Sequence, residues 1–469
     1  MRTFPDHDMG LKAGRALRIA LFVHAFYPDH VYGTEFYTLA LARAFVARGH
    51  KVVVVTAREA GEPPQAREVE SYVHAGIRVL RIDGNRHPPR NVREAYDQPS
   101  LAPLLAALLR RIAPDVVHVC HLANFTAVLP QVAASLAIPV FATLTDFFNI
   151  CLTGMLEQAH GGACGGPDAS RLNCMRCGLT LRSQEQPFSP FWRALGHPAL
   201  RDACAWAFTR FAPFLLFSGG ADARAVLSRP QVMLAAMAHY RAAIAPTAFL
   251  ENAFRAQGAP TRLVRSNFGI EIDRRPKPAR PAGPLRLGFI GQLLSHKGPH
   301  LVLQALRALP PGSATLDIWG SEQLAPDYAR DLRAVAERMP VRFRGLFDPA
   351  DTATVMAGLD VLVLPSLWYE NGPLTLLKAL ATHTPVVVSD VPGMTEFVNE
   401  GVNGFAFRRG DAEALAAVLR RFTDDPALAP RMSAATRYTR TEADMADDVL
   451  ALYGAAASGT GAAPRAREA

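Results

Sequence analysis

Residues 365–393, PSLWYENGPLTLLKALATHTPVVVSDVPG, decide how this chain is read. A strand ends at Pro365-Ser366, the chain turns through Glu370-Asn371-Gly372, a helix opens at Pro373, and a second strand, TPVVVSD, follows. Proline suits a first helical turn, where its missing N–H has no intrahelical partner to lose. Glu370 and Asn371 are thereby placed at the C-terminal lip of a parallel sheet, the edge at which open α/β sheets receive ligands. The stretch has the look of a nucleotide-binding turn, yet Lys378 stands where an acid is expected.

The same alternation extends in both directions. Beyond residue 284 the runs LRLGFIGQ, ATLDIWG, VRFRG, DVLVLPS and GFAFR alternate with amphipathic segments. Upstream, LRIALFVHAFYP, KVVVVTA, GIRVLRI, PDVVHVCHL and IPVFATLTD do the same. Such alternation predicts an α/β protein with parallel sheets. The run RRPKPARPAGP, residues 274–284, reads as a linker between two halves. The expected layout is a tail at 1–14, a first lobe at 15–273, a second lobe at 285–430, C-terminal helices at 431–454 crossing back to the first lobe, and a tail at 455–469. Between residues 178 and 240 the pattern turns helical and predicts an insertion in the first lobe. A buried insertion is the plainer reading; its aromatics and flanking arginines also fit a membrane-surface helix.

Composition narrows the function classes. A chain of 469 residues exceeds one ordinary core. No apolar run reaches the ~18–20 residues that a membrane-spanning helix needs. The apolar run from Leu17 to Tyr27 is broken by Arg18 and His24, so it reads as a first strand rather than a leader, and a cytoplasmic location follows. A formal charge of +8 and a pI of about 9.4 favour anionic partners. Nucleic acid is disfavoured, because no basic stripe with interleaved aromatics occurs. Only five of the 50 basic residues are lysines, a skew that biased coding explains without explaining where the lysines fall.

Lys297-Gly298, in GFIGQLLSHKG, opens a helix directly after a strand. Backbone N–H groups at a helix N-terminus attract phosphate, and a lysine adds a point charge. A plain strand–helix connection is the alternative. Cys151, Cys164, Cys174 and Cys177, four of the six cysteines, fall in one Gly-rich loop, residues 151–177. Their spacing favours structural zinc over unmetallated thiols, while Cys120 and Cys204 read as core. His121, Thr145 and Asp146 end strands of the first half and are acceptor-side candidates, against the plainer reading of side chains hydrogen-bonded in place.

Together, GFIGQ with HKG, the 365–393 stretch continued by MTEFVNEGVNGF, and FYPDHVYGTEFYTLALARAFVARGHKVVVVTA resemble glycosyltransferase family 4, over the chain from Arg18 to Tyr453. The resemblance implies the GT-B fold, two Rossmann-like lobes facing across a cleft. It implies a nucleotide-diphosphate sugar of UDP or GDP type on the C-terminal lobe and an acceptor on the N-terminal lobe. It also implies transfer with retention of anomeric configuration and without a catalytic metal, the leaving diphosphate being stabilised by basic side chains and helix N-termini. On that pattern Glu370 contacts the donor sugar and Lys297 the diphosphate, and these two are the catalytic candidates. Gly33, Gly291, Asn371, Gly372, Pro373 and Leu374 would line the donor, with Leu346, in RGLFD, beside the nucleobase.

The sequence departs from the family pattern at three places. Lys378 replaces the second acid, Gln292 replaces a basic residue after Gly291, and Thr145-Asp146 stands where His-Asp is frequent. A carboxylate accepts hydrogen bonds from ribose hydroxyls, whereas lysine only donates. Lys378 either compensates for Gln292 at the diphosphate, or packs its stem and exposes its head, or marks a decayed donor site. The expected function is transfer to a glycan or lipid-linked saccharide at the inner membrane face, with peripheral membrane contact. The alternatives are a catalytically weak scaffold subunit and, less favoured, a sugar-nucleotide epimerase.

Overall fold

The computed structural model describes residues 15–185, 194–195, 197–214, 218–277 and 283–457. The expected N-terminal tail, most of the C-terminal tail, the middle of the linker and part of the insertion lie outside the described residues. The chain divides into two units, one running to Asn267 and regaining the segment from Glu442, the other spanning Phe268–Thr441.

In the first unit, strands β1 (Arg18–Phe22), β2 (Lys51–Arg58), β3 (Val69–His74), β4 (Ile77–Asp83), β5 (Val116–Val119), β6 (Val140–Thr143), β7 (Tyr240–Ala245) and β8 (Leu263–Arg265) form a sheet. Their order is β3-β4-β2-β1-β5-β6-β7-β8. Every residue of β5 and β6 is buried, as expected of central parallel strands covered on two faces. Edge strand β3, which the sequence reading lacked, runs antiparallel to β4. Ala75 and Gly76 join the two with φ of 49° and 79°, the positive-φ pair that a tight hairpin requires.

The helices Leu172–Glu185, Pro198–Phe211 and Ser218–Met237 build the insertion around Met175, Leu179, Ala205 and Val226. The last helix, Glu442–Ala457, reaches into the stretch read as a tail and belongs to this unit. Its Tyr453 is fully buried, and the hydroxyl bonds His118 Nδ1 at 2.8 Å. Among the described residues no helix is long and apolar enough to cross a membrane.

The second unit holds β9 (Leu285–Ile290), β10 (Ala314–Trp319), β11 (Val341–Gly345), β12 (Val361–Leu364), β13 (Val386–Ser389) and β14 (Gly404–Phe407). They pair in the order β11-β10-β9-β12-β13-β14, all parallel. Leu287, Leu316, Val363, Val387 and Phe405 fill its core, each burial contributing roughly 1.5–3 kcal/mol. Among the parallel strands of each sheet the order reverses at the first strand, between β1 and β5 and between β9 and β12. Helices leave toward opposite faces at such a point and open a crevice at the C-terminal strand ends.

Candidate active site

At the reversal in the second unit, β9 passes through Gly291 and Gln292 into a tight turn, Ser295–Lys297. Gly298 follows at φ +71°, where a Cβ would stand 2.1 Å from the Pro365 carbonyl oxygen. Only glycine lets this turn lie so close to the end of β12. The Leu367 N–H then donates to the His296 carbonyl at 2.7 Å and locks the two loops in register.

That register brings Lys297 and Glu370 together. Glu370 Oε1 accepts hydrogen bonds from Lys297 Nζ at 2.7 Å, Ser366 Oγ at 2.7 Å and Trp368 Nε1 at 2.9 Å. The ammonium also lies 4.5 Å from the centre of the Trp368 ring. Burial pushes the Glu370 carboxyl up, but the Lys297 charge and the three hydrogen bonds outweigh it and hold the group below its ordinary value. Burial and then the Lys297 charge push His296 down to about 4, so its imidazole is neutral near pH 7.

The turn around Glu370 is clasped from β13. Gly372 N–H donates to Gly393 O at 3.1 Å, and a Cβ on Gly393 would lie 1.7 Å from the Glu370 carbonyl oxygen. Pro373 stands just before the helix Leu374–Ala381 rather than inside its first turn. Lys378 occupies the last turn of that helix and is half-buried. Gly291 commits its N–H to the Trp319 carbonyl at 3.0 Å. Leu346 follows β11, two strands from β9, with its side chain 76% exposed.

The reversal in the first unit gathers different chemistry. Gly33 opens the helix Gly33–Ala47, and Glu35 reaches back to accept the Tyr32 N–H at 3.1 Å, a capping interaction. His24 follows β1 and His121 follows β5, and their ring centroids are 4.2 Å apart. His121 Nε2 bonds Asp146 Oδ2 at 2.8 Å, and His24 Nε2 lies 3.4 Å from Glu35 Oε1. His24 Nδ1 and Glu35 Oε1 are buried without a hydrogen-bond partner. Burial, then the neighbouring His121, push His24 down to about 3. Burial opposes the charge on His121, but Asp146 wins and raises it, while burial raises Glu35 despite its backbone hydrogen bonds.

His24 and Glu35 were not singled out in the sequence. The available signal was position: a histidine just past a first strand, as His296 lies just past β9. Thr145 Oγ1 donates to the Cys120 carbonyl at 3.1 Å, and His118 is locked between Thr143 and Tyr453.

The cysteines divide between two local structures. Cys151 and Cys164 lie in the loop, but Cys174 and Cys177 stand one turn apart on the helix Leu172–Glu185. Asp168 starts that helix by accepting the Leu172 N–H at 3.2 Å, a capping signal that the expected all-loop arrangement overlooked. All four thiols are free; burial, and then Cys151, Cys177 and Cys164 in turn, push Cys174 up to about 12. Among the described residues no group of three or more His, Cys, Asp or Glu side chains is placed to hold a metal ion.

Two mostly parallel α/β units of this topology define the GT-B architecture. The family model Glycosyl transferases group 1 matches residues 271–439, and the model Glycosyltransferase Family 4 matches residues 31–156. The chain belongs to the GT-B glycosyltransferases of group 1. It is 36% identical over 181 residues to a glycogen synthase of Mycobacterium tuberculosis, covering 37% of this chain and 42% of that one. It is 33% identical over 191 residues to a D-inositol 3-phosphate glycosyltransferase of Streptomyces avermitilis, covering 36% and 40%. The matches thus span about two-fifths of these curated relatives.

Among solved structures, Anabaena HepE in complex with UDP superposes with a TM-score of 0.58 at 17% identity, over 94% of this chain and 99% of that one. A glycosyltransferase of Rickettsia africae gives a TM-score of 0.63 at 14% identity, over 94% and 98%.

Proposed function

We propose that this protein transfers a sugar from a nucleotide-diphosphate donor to a glycan or lipid-linked saccharide, with retention of configuration and without a catalytic metal. The observation that carries the reading is the Lys297–Glu370 pair at the β9/β12 reversal, beside the start of the helix Pro299–Arg307. Family membership supports it, as do the activities for which the two relatives are named and the UDP bound by Anabaena HepE.

In the proposed step the bond from the anomeric carbon to the phosphate oxygen breaks, and the bond to the acceptor oxygen forms on the same face. The acceptor proton passes to the departing diphosphate. Negative charge grows on that diphosphate, and Lys297 is placed to take it up. Glu370 and Trp368 hold the ammonium before the donor arrives, so little reorientation is needed. His121 and Asp146 are proposed to bind the acceptor hydroxyl. Incubation with UDP- and GDP-sugars and release of the nucleoside diphosphate test the reading: release that depends on Lys297 is expected. Binding of donor without any turnover, with or without acceptor glycans, would instead favour the scaffold alternative.

Two finer proposals accompany it. Contact with the inner membrane face is supported by Trp206 and Phe214, 59% and 74% exposed, beside Phe211 and Arg210. Sedimentation with anionic liposomes at low salt is expected, and its absence would reject the contact. A structural zinc on Cys151, Cys164, Cys174 and Cys177 is supported by their spacing in the sequence alone, since the described residues do not place three or more such side chains to hold a metal ion. One zinc per chain, lost in Cys174→Ser, is the expected elemental analysis; a folded, zinc-free protein would reject it.

A further inference from the structure

A groove of about 680 Å³ lies in the first unit, lined by the edge strand β3, its neighbour β4, the end of β2 and the loop after β1. The volume falls within the roughly 300–1,000 Å³ typical of small-molecule sites. Five arginines, Arg58, Arg67, Arg78, Arg81 and Arg111, line it with only two acids, Asp29 and Glu70.

The acids are largely engaged on one guanidinium. Arg81 Nη1 donates to Asp29 Oδ2 at 2.7 Å, and its Nη2 lies 3.5 Å from Glu70 Oε2. Arg58 Nη1 donates to the Pro63 carbonyl at 2.8 Å and its Nη2 lies 3.9 Å from Asp29 Oδ2, while its Nε is buried with no hydrogen-bond partner. A buried guanidinium donor without a partner is uncommon in a folded protein and suits an acceptor that the chain does not itself provide. Arg67, Arg78 and Arg111 are exposed and form no ion pair among the described residues. Tyr72 lies beneath Arg81 and donates its hydroxyl to the Tyr27 carbonyl, tying the edge strand to the loop that follows His24. The groove therefore begins on the same loop as the histidine cluster.

We propose that this groove binds an oxyanion carried by a saccharide, a uronate carboxylate or a sugar phosphate, and so selects an anionic acceptor. Guanidinium forks match the two oxygens of such groups in pairs, and a concave site of this size suits a sugar better than a flat lipid surface. The word acceptor rests on the transferase reading; the binding itself does not.

The test is calorimetric titration of the full chain with trigalacturonic acid, mannose 6-phosphate and neutral maltotriose. Preference for either charged saccharide over maltotriose is expected, and which one binds identifies the anion. The triple variant Arg67→Gln/Arg78→Gln/Arg111→Gln, altered only at exposed positions, should weaken that binding at least about tenfold, and Arg58→Gln should weaken it too. Unchanged affinity in both variants, or equal binding of maltotriose, overturns the proposal. So does a triple variant that loses only adsorption to phosphatidylglycerol vesicles, which would assign the patch to a membrane. Nucleotide titration of the same variants should match the wild type. A chain that binds the charged sugar through these arginines yet binds no nucleotide keeps the groove and rejects the transferase reading.

Discussion

Where β9 and β12 part, a lysine meets a glutamate at 2.7 Å, with a serine and a tryptophan completing the contacts. Where β1 and β5 part, two histidines face each other at 4.2 Å between the carboxylates of Glu35 and Asp146. The topology is the same, since each crevice is opened by a reversal of strand order, but the chemistry is not. The C-terminal cluster holds a fixed cation against a fixed anion, which suits a ligand whose charge grows as it leaves. The N-terminal cluster holds neutral and titratable rings with polar atoms left unbonded, which suits hydroxyl groups. One topological device thus serves two halves of a proposed transfer through the residues placed at its lip.

The largest expected effect comes from breaking the charged cluster. Lys297→Ala leaves Glu370 buried without its cation, and a loss of roughly 3–5 kcal/mol in urea unfolding is predicted. His24→Ala, at the other reversal, removes no fixed charge at neutral pH and should cost less. Equal losses would erase the distinction between the clusters.

Gly298→Ala ranks next. Positive φ costs an alanine roughly 1–2 kcal/mol, and the contact with the Pro365 carbonyl adds to it. A loss of at least about 2 kcal/mol is predicted by the same measurement, together with weaker nucleotide binding as the Lys297 turn shifts.

The histidines sharpen the comparison through pH. Burial pushes His118 down to about 3, as burial and His121 do for His24. Between the ordinary histidine value of 6.5 and about 3, the unfolded chain takes up protons that these folded imidazoles refuse. Their contribution to stability is therefore full above that window and falls as pH drops through it, by up to about 1.4 kcal/mol per pH unit for each group. Urea midpoints at pH 7 and 5 should show the decline, and His118→Gln should flatten it. The same slope in the variant would contradict the assignment.

How much of this was legible follows from sequence distance. The second unit was readable because each strand, turn and helix is contiguous, and Lys297 and Glu370 each sit inside such a run. Their pairing was not, since 73 residues separate them and only the β9–β12 contact brings them together. The cluster of Glu35 and His24 was hidden because His121 and Asp146, which complete it, follow β5 and β6. Strand β3 was hidden by its half-exposed, polar edge, and the helical placement of Cys174 and Cys177 by a loop-like composition. The arginine groove combines residues from several separate segments and leaves no local motif.

Lys378 is expected to give the smallest effect. If its ammonium compensates for Gln292, Lys378→Glu should weaken nucleotide binding about tenfold, the scale of one charge-assisted contact. Tighter binding in that variant would instead mean that an acid is the better residue there.

The most direct measurement of the central claim is calorimetric titration of UDP, GDP and ADP into the wild-type chain and into folded Lys297→Ala. The account predicts that at least one nucleotide binds the wild type and that the variant loses that binding. Binding that survives in Lys297→Ala, or no binding of any of the three to the wild type, would contradict a donor site at the β9/β12 reversal.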